Sequence, residues 1–185
     1  IAPGPGGLNM APYAVWKQRA LLAGLLSLII FTSLLPLGPM FGGIPGPDLA
    51  MCLLFAFVLR RPDYVPLGLV LVMVFAADAL LMRPLGLWTL IMLVATEFLR
   101  RSVVQTEALP PAEEFGQILP VMLACFIAER LILLALLAEP PVFFSQVIHV
   151  GMTLVFYPII VLFTHSVLGV RRLQPGEVDT LGGRA

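Results

Sequence analysis

Charged residues are scarce in this chain, and their scarcity excludes a water-soluble globular domain. Asp, Glu, Lys and Arg make up only 12% of the 185 residues, whereas 59% of the residues are hydrophobic. A typical soluble domain carries about 25% charged residues, so this chain has too little polar surface to cover itself in water. Its basic residues form no long run, which argues against nucleic-acid binding. The composition therefore predicts a membrane protein.

Cysteine is also scarce, and its placement excludes the common metal motifs. The two cysteines, Cys52 and Cys125, lie within apolar blocks, and neither has a second Cys or a His nearby in the sequence. We interpret both as small apolar packing residues and expect no disulfide between them. The sequence also lacks a Ser-His-Asp set and a phosphate-binding loop. We therefore expect a protein that is not an enzyme and that holds no metal or other cofactor.

Six apolar blocks alternate with short polar connections. A bilayer core of about 30 Å needs about 20 helical residues, and the second block, with about 11 residues, covers only about half of that thickness. We predict an all-α polytopic membrane protein with one six-helix transmembrane domain at residues 16–172, after a disordered segment at 1–15 and before a cytoplasmic tail at 173–185. The predicted transmembrane helices span about residues 20–37, 49–59, 65–82, 85–99, 116–137 and 142–170.

Basic residues sit at the edges of these blocks, often as adjacent arginine pairs. Bilayers keep Lys and Arg on the cytoplasmic side of a membrane protein. If each block crosses once, the pairs all fall on the same side as Lys17 and Arg19, and both termini are cytoplasmic. Arg83 is then external, and Arg130 lies within the fifth block. The predicted cytoplasmic anchors are Arg60, Arg61, Arg100, Arg101, Arg171 and Arg172.

A Gly- and Pro-rich stretch precedes the short second block. Gly43, Pro45 and Pro47 break any helix in this stretch, and its unpaired backbone groups would be costly in contact with lipid. We expect an extended or re-entrant loop that is tucked against other helices on the external side. Asp48 then lies at the helix N-cap, where a carboxylate accepts backbone N–H groups and faces the positive helix end. A functional role for Asp48 is the alternative.

Charged side chains inside the blocks are the other candidate site residues. A charge at the bilayer centre costs about 2.5–3.5 kcal/mol on insertion scales, so each should face protein or water. We expect Arg130 to pair with Asp78, and Glu97 to pair with an arginine three or four residues later. Contact with a partner, or a path for protons or ions, remains open for these groups, above all for Glu129. The four residues are Asp78, Glu97, Glu129 and Arg130.

Several short segments together resemble a known family. They lie at residues 46–49, 59–66, 78–88, 97–101, 169–172 and 175–179. As a set, they are similar to the rod shape-determining protein MreD family, in its alphaproteobacterial form, from about Leu34 onward. The chain departs from many family members before Asp78, where Phe75, Ala76 and Ala77 replace a more Gly-rich spacing.

The resemblance implies a non-enzymatic scaffold of the cell-elongation and peptidoglycan-synthesis complex in the bacterial inner membrane. Its expected partners are a bitopic MreC-type protein and, beyond it, MreB, RodA and a class B penicillin-binding protein. The implied fold is similar to the six-helix substrate-binding subunits of energy-coupling-factor transporters. The alternative is therefore a substrate-binding subunit for a small molecule or lipid, although the predicted external loops are poor in polar groups.

Overall fold

The chain folds into helices, as a computed structural model shows for residues 10–35, 45–105 and 111–166. Within those ranges there is no β-strand, and the side chains of 10–14, 104–105, 111–114 and 165 are left out of the description. A 3₁₀ turn, Pro62–Tyr64, follows the second helix. The helices are α1 (Met10–Leu34), α2 (Leu49–Arg60), α3 (Leu67–Leu80), α4 (Leu87–Gln105), α5 (Pro111–Ala135) and α6 (Phe143–Ser166).

Three of the described helices are long and apolar enough, by length and composition, to cross a membrane. The candidate spans are Val15–Leu34 in α1, Phe115–Ala135 in α5 and Phe143–Thr164 in α6. By contrast, α2 has 12 residues and α3 has 14, which correspond to about 18 Å and 21 Å of helix. The described residues therefore confirm the prediction of an all-helical protein, and three of its helices are suited to cross a membrane.

The short helix α2 forms the core of the bundle. Residues 51–58 are all buried, and α1, α4 and α6 pack around them. Leu22 and Leu26 of α1, Met92 of α4 and Tyr157 of α6 belong to the same buried cluster. A helix that is apolar on every face is stable only when it is enclosed on every face. The neighbouring helices therefore shield α2 from lipid, although it is too short to cross the bilayer.

The outer surface of the bundle is apolar. Large hydrophobic side chains on the outer helices are strongly exposed, among them Val72 of α3, Val94 of α4, Leu131 of α5 and Val155 of α6. A water-soluble monomer rarely exposes apolar patches of this extent. The exposed faces are those that a lipid bilayer would cover.

Helix α1 begins earlier than the sequence predicted. It starts at Met10, so the prediction of disorder is wrong for residues 10–15. Trp16, Lys17 and Arg19 lie within the helix, because these side chains are compatible with helical backbone and do not mark its end. The predictions for residues 1–9, 36–44 and 167–185, which include Gly43, Arg171 and Arg172, concern residues outside the described ranges.

Helix α5 also begins earlier than predicted, and prolines do not interrupt the last two helices. Pro111 opens α5, a position where proline lacks no hydrogen bond and its fixed φ suits the helix. Pro120 lies inside α5 and Pro158 inside α6. Proline disfavours the interior of a helix because it lacks a backbone N–H. At both sites, packing against neighbouring helices outweighs this effect.

Candidate functional site

The N-terminus of α2 lies beside the middle of α6. The Oδ1 atom of Asp48 accepts a hydrogen bond from the backbone N–H of Met51 at 2.9 Å, which confirms the predicted N-cap. The backbone N–H of Asp48 donates to Oγ1 of Thr153 at 3.0 Å. Thr153 follows the first residue of α6, Phe143, by ten positions, or about 15 Å of helix. The short helix therefore begins about halfway along α6.

Helix α6 fixes the irregular segment that leads into α2. The Nδ1 atom of His149 is hydrogen-bonded to the backbone oxygen of Gly46. One turn further, Oγ1 of Thr153 donates to the backbone oxygen of His149 at 2.7 Å while it accepts from Asp48. Irregular backbone is tolerated at membrane depth only where protein or water satisfies its polar groups. His149 and Thr153, which lie on one face of α6, form these hydrogen bonds with the segment before α2.

A cavity of about 790 Å³ lies beyond the N-terminus of α2. It exists because α2 stops well short of a bilayer core of about 30 Å, and the surrounding helices continue past it. The volume falls within the range of about 300–1,000 Å³ that is typical of small-ligand pockets. The described lining is mostly apolar and includes Leu26, Ile30, Val74, Ala77, Met92 and Phe156.

A few polar groups also line this cavity. Asp48, Arg83 and His149 contribute a carboxylate, a guanidinium and an imidazole. The Arg83 guanidinium carbon lies 5.9 Å from the centre of the Trp88 ring, and Trp88 in turn packs against Phe126 with ring centres 5.6 Å apart. An apolar pocket with a few placed polar groups suits an amphipathic or largely apolar occupant.

Asp78 is buried beside the start of α4 and does not pair with Arg130. Its side chain is fully buried, and Oδ2 accepts from the backbone N–H of Thr89 at 3.1 Å and from its hydroxyl at 2.8 Å. The expected Asp78–Arg130 ion pair is therefore wrong. The first amides of a helix lack partners within the helix, and Thr89 brings such an amide close to Asp78.

Arg130 instead joins the end of α5 to the start of α6. Its Nη1 atom donates to the backbone oxygen of Pro141 at 3.0 Å and to Oε1 of Gln146 at 2.9 Å. Its guanidinium carbon lies 5.3 Å from the centre of the Phe143 ring. The neighbouring Glu129 is half-buried and makes no hydrogen bond or ion pair with another described residue. Contact between Glu129 and a partner therefore stays a prediction.

At the opposite end of the bundle, Glu97 pairs with Arg101. The Nε atom of Arg101 lies 2.8 Å from Oε1 of Glu97, and the two side chains are 75% and 31% exposed. This result confirms the predicted local ion pair and selects the four-residue spacing. Exposed pairs of this kind contribute about 0–1 kcal/mol, so the pair orients the side chains more than it stabilises the fold.

The first member of two arginine pairs points into the bundle. Arg60 is buried and donates from Nη1 to Oγ1 of Thr164 at 2.7 Å and to the backbone oxygen of Val161 at 3.2 Å. Arg100 donates from Nη2 to the backbone oxygen of Val65. These arginines therefore fix the ends of helices in addition to any effect that they have on topology.

Buried threonines are the site residues that sequence reasoning missed. Thr89, Thr153 and Thr164 are each 0–3% exposed, and each bonds a charged residue or the segment beside it. When a threonine lies within an apolar block of the sequence, it is easily interpreted as one more packing residue. A buried hydroxyl needs a hydrogen-bond partner, so the threonines were the available indication of where polar groups meet.

In the part of the chain that the structure describes, no three His, Cys, Asp or Glu side chains come together as a possible metal site. The chain matches no protein-family model, and no curated protein or solved structure is significantly similar to it. Functional interpretation therefore depends on the residues and on the geometry of the cavity.

Proposed function

We propose that this chain is an MreD-type scaffold of the bacterial inner membrane. It acts without catalysis and holds a bitopic MreC-type partner within the cell-elongation complex that contains MreB, RodA and a class B penicillin-binding protein. All six helices lie in the membrane, and both termini are cytoplasmic. The proposal combines the sequence resemblance with the apolar cavity beyond α2.

The single observation that carries the proposal is the position of the family-like segments around that cavity. Gly46, Pro47 and Asp48 form its floor at the start of α2, while Arg83 and Trp88 lie on its wall. Two segments that are distant in sequence thus converge on one apolar space. A docking surface for another protein requires such a combination of apolar area with a few polar groups.

The chemistry of the cavity suits an apolar segment of the partner. In lipid, helices associate through close packing and through hydrogen bonds between them. A partner segment that enters the cavity would gain packing against Met73 and Phe156 and would reach Asp48 and His149 at its floor. Those polar groups would favour a partner that places a donor or acceptor at this depth.

Site-directed photo-crosslinking in native membranes tests this docking. A photoreactive residue at Pro45 or Met152, which both line the cavity, should yield an adduct with a single-spanning protein. A third position at Glu129 tests the predicted contact of that side chain. Leu131 is 60% exposed on α5 and provides the control, since it should label lipid only. Equal labelling of the same protein from Leu131 would contradict docking at the cavity.

The same cavity favours a second candidate function, the binding of a small molecule or lipid by a transporter subunit. Its volume of about 790 Å³ would accommodate a drug-sized ligand. Native mass spectrometry of the isolated chain separates the two functions. A bound small molecule that survives purification without any partner protein would support the transporter function and oppose the scaffold.

A further inference from the structure

The imidazole of His149 is held in one tautomer beside the floor of the cavity. Its Nδ1 atom is hydrogen-bonded to the backbone oxygen of Gly46, and Nδ1 must carry the proton because a carbonyl oxygen only accepts. In a neutral imidazole, one nitrogen donates and the other accepts. The Nε2 atom is therefore an acceptor, and it makes no hydrogen bond with another described residue. Because His149 lines the cavity, this acceptor is available to an occupant.

Asp48 supplies a second acceptor. Its Oδ1 atom caps α2 by accepting from the backbone N–H of Met51 at 2.9 Å, whereas Oδ2 makes no hydrogen bond with another described residue. Thr153 contacts both segments, since its hydroxyl accepts from the backbone N–H of Asp48 and donates to the backbone oxygen of His149. The two acceptors therefore lie on neighbouring parts of the cavity floor.

The other polar side chains of the described lining leave these acceptors unpaired. The hydroxyls of Thr32 and Ser33 donate to the backbone oxygen of Ile29, at 2.9 and 2.8 Å. The guanidinium of Arg83 lies over the Trp88 ring and forms no hydrogen bond with the floor. An occupant that brings N–H or O–H donors would therefore complete the hydrogen bonding of the floor.

The depth of the floor indicates which kind of occupant can bring donors. The floor lies beside Thr153, about 15 Å of helix from the start of α6, which is half of a bilayer core of about 30 Å. The polar groups of phospholipids lie in the headgroup region, outside that core. A transmembrane segment can carry a hydroxyl or amide side chain at any depth, and such side chains hydrogen-bond across helices in membranes. These observations favour a protein segment.

We propose that His149 and Asp48 select a partner segment that carries an uncharged hydrogen-bond donor at mid-membrane depth. The inference rests on the proposed function and specifies the partner chemistry of the same cavity. Asp48 and Arg83 are the two charged side chains of the described lining, and their charges are opposite. A charged group at the bilayer centre is costly, so a neutral hydroxyl or amide suits the cavity better than a cation.

Two substitutions of His149 separate its two nitrogens. Asparagine places an amide N–H near the position of Nδ1, so His149→Asn keeps the contact with Gly46 and removes the acceptor at Nε2. Glutamine reaches the position of Nε2, so His149→Gln keeps an acceptor and loses the contact with Gly46. H149N should lower co-purification of the partner from native membranes about tenfold, because the donor of the partner is left unpaired. H149Q should lower it less than about threefold.

Asp48→Asn provides an independent test. Asparagine and aspartate cap helices about equally well, so the new side chain can still accept from the backbone N–H of Met51, while its second polar atom becomes a donor. D48N should therefore fold normally and lower partner recovery about tenfold. Asp63 lies in the turn at the other end of α2, and Asp63→Asn, the matched control, should leave recovery unchanged.

Ala77→Phe separates failure of this inference from failure of docking. Ala77 lines the cavity, so a larger side chain there should hinder docking whatever hydrogen bonds the partner forms. Reduced recovery with Ala77→Phe, together with full recovery of the partner by H149N and D48N, would refute the inference and leave docking intact. Full recovery with all three variants would contradict docking itself.

The crosslinked partner peptide gives a direct readout of the donor. A photoreactive residue at Met152, which lines the cavity about one turn after His149, should label a peptide that contains a hydroxyl or amide side chain. A labelled peptide with aliphatic residues alone would overturn the inference. So would a lipid or small molecule that stays bound to the isolated wild-type chain and is lost from H149N, because the acceptors would then bind that ligand.

Discussion

Replacement of Asp78 separates a hydrogen-bonding role from a charge-pairing role. In the structure, one carboxylate oxygen accepts both donors of Thr89. Asp78→Asn keeps an oxygen at that position and removes the charge. Asp78→Leu has a similar size and keeps no acceptor. We expect both variants to be less stable than the wild type and the Leu variant to be the less stable of the two.

The magnitude follows from the two hydrogen bonds at Asp78. A hydrogen bond to a charged group contributes about 1.5–3 kcal/mol, and a buried donor left without a partner costs about 1–3 kcal/mol. In the Leu variant the hydroxyl of Thr89 can turn to a carbonyl of its own helix, but its amide cannot. We therefore expect a loss of about 2–4 kcal/mol for Asp78→Leu. For Asp78→Asn we expect a smaller loss of about 1–2 kcal/mol, because its amide N–H groups would take the position of Oδ1, which is buried without a hydrogen-bond partner among the described residues.

Tryptophan fluorescence during unfolding in sodium dodecyl sulfate measures both values. The chain has two tryptophans, so a Trp16→Phe background leaves Trp88 as the reporter. Trp88 is 5% exposed and adjacent to Thr89. Thr89→Val removes the hydroxyl alone and should cost about 1.5–3 kcal/mol through the lost bond to the carboxylate, while it keeps the backbone hydrogen bond.

Two results would refute this account of Asp78. Equal destabilisation by Asn and by Leu would show that the acceptor oxygen, which only Asn keeps, contributes nothing to stability. Recovery of folding by a combined charge reversal at Asp78 and Arg130, after failure of each single reversal, would restore the ion pair that the structure excludes. The structure predicts no such recovery, because Arg130 bonds to Gln146 and to the backbone of Pro141.

Three further substitutions test the polar contacts elsewhere, by the same unfolding assay. Thr153→Val should cost about 1 kcal/mol, because it leaves the partly buried N–H of Asp48 without its hydrogen bond, while Thr153→Ser should be tolerated. Thr164→Val should cost about 1.5–3 kcal/mol through the lost bond to the Arg60 cation, and an unchanged midpoint would oppose that contact. Glu97→Gln should change stability by less than about 1 kcal/mol, since its ion pair is exposed.

The sequence predicted the helical fold well where apolar blocks and caps coincide. Asp48 marked the start of α2 correctly, because a carboxylate that follows a Gly- and Pro-rich segment has a clear capping role. The start of α1 was missed because hydropathy reports where a helix enters lipid and not where helical backbone begins. Helix α1 continues through Lys17 and Arg19 into residues that are not apolar.

The candidate site was predicted less well, for a physical reason. Charged residues in apolar blocks are conspicuous, so Asp78 and Arg130 were paired as opposite charges across the third and fifth blocks. Their true partners are a threonine and a glutamine, which single-sequence reasoning cannot rank without knowing how the helices pack. The cavity was equally hidden, because it depends on five separate parts of the chain that meet beyond a short helix.

Partner recovery from variants of α3 tests the central claim of docking at the cavity. Ala77 lines the cavity, whereas Ala79, two residues away, is exposed on the outside of α3. Ala77→Phe should fill part of the cavity and lower co-purification of the MreC-type partner at least about tenfold, or about 1.4 kcal/mol. Ala79→Phe should leave recovery unchanged. Full recovery with Ala77→Phe, in a chain of normal stability, would contradict docking at the cavity.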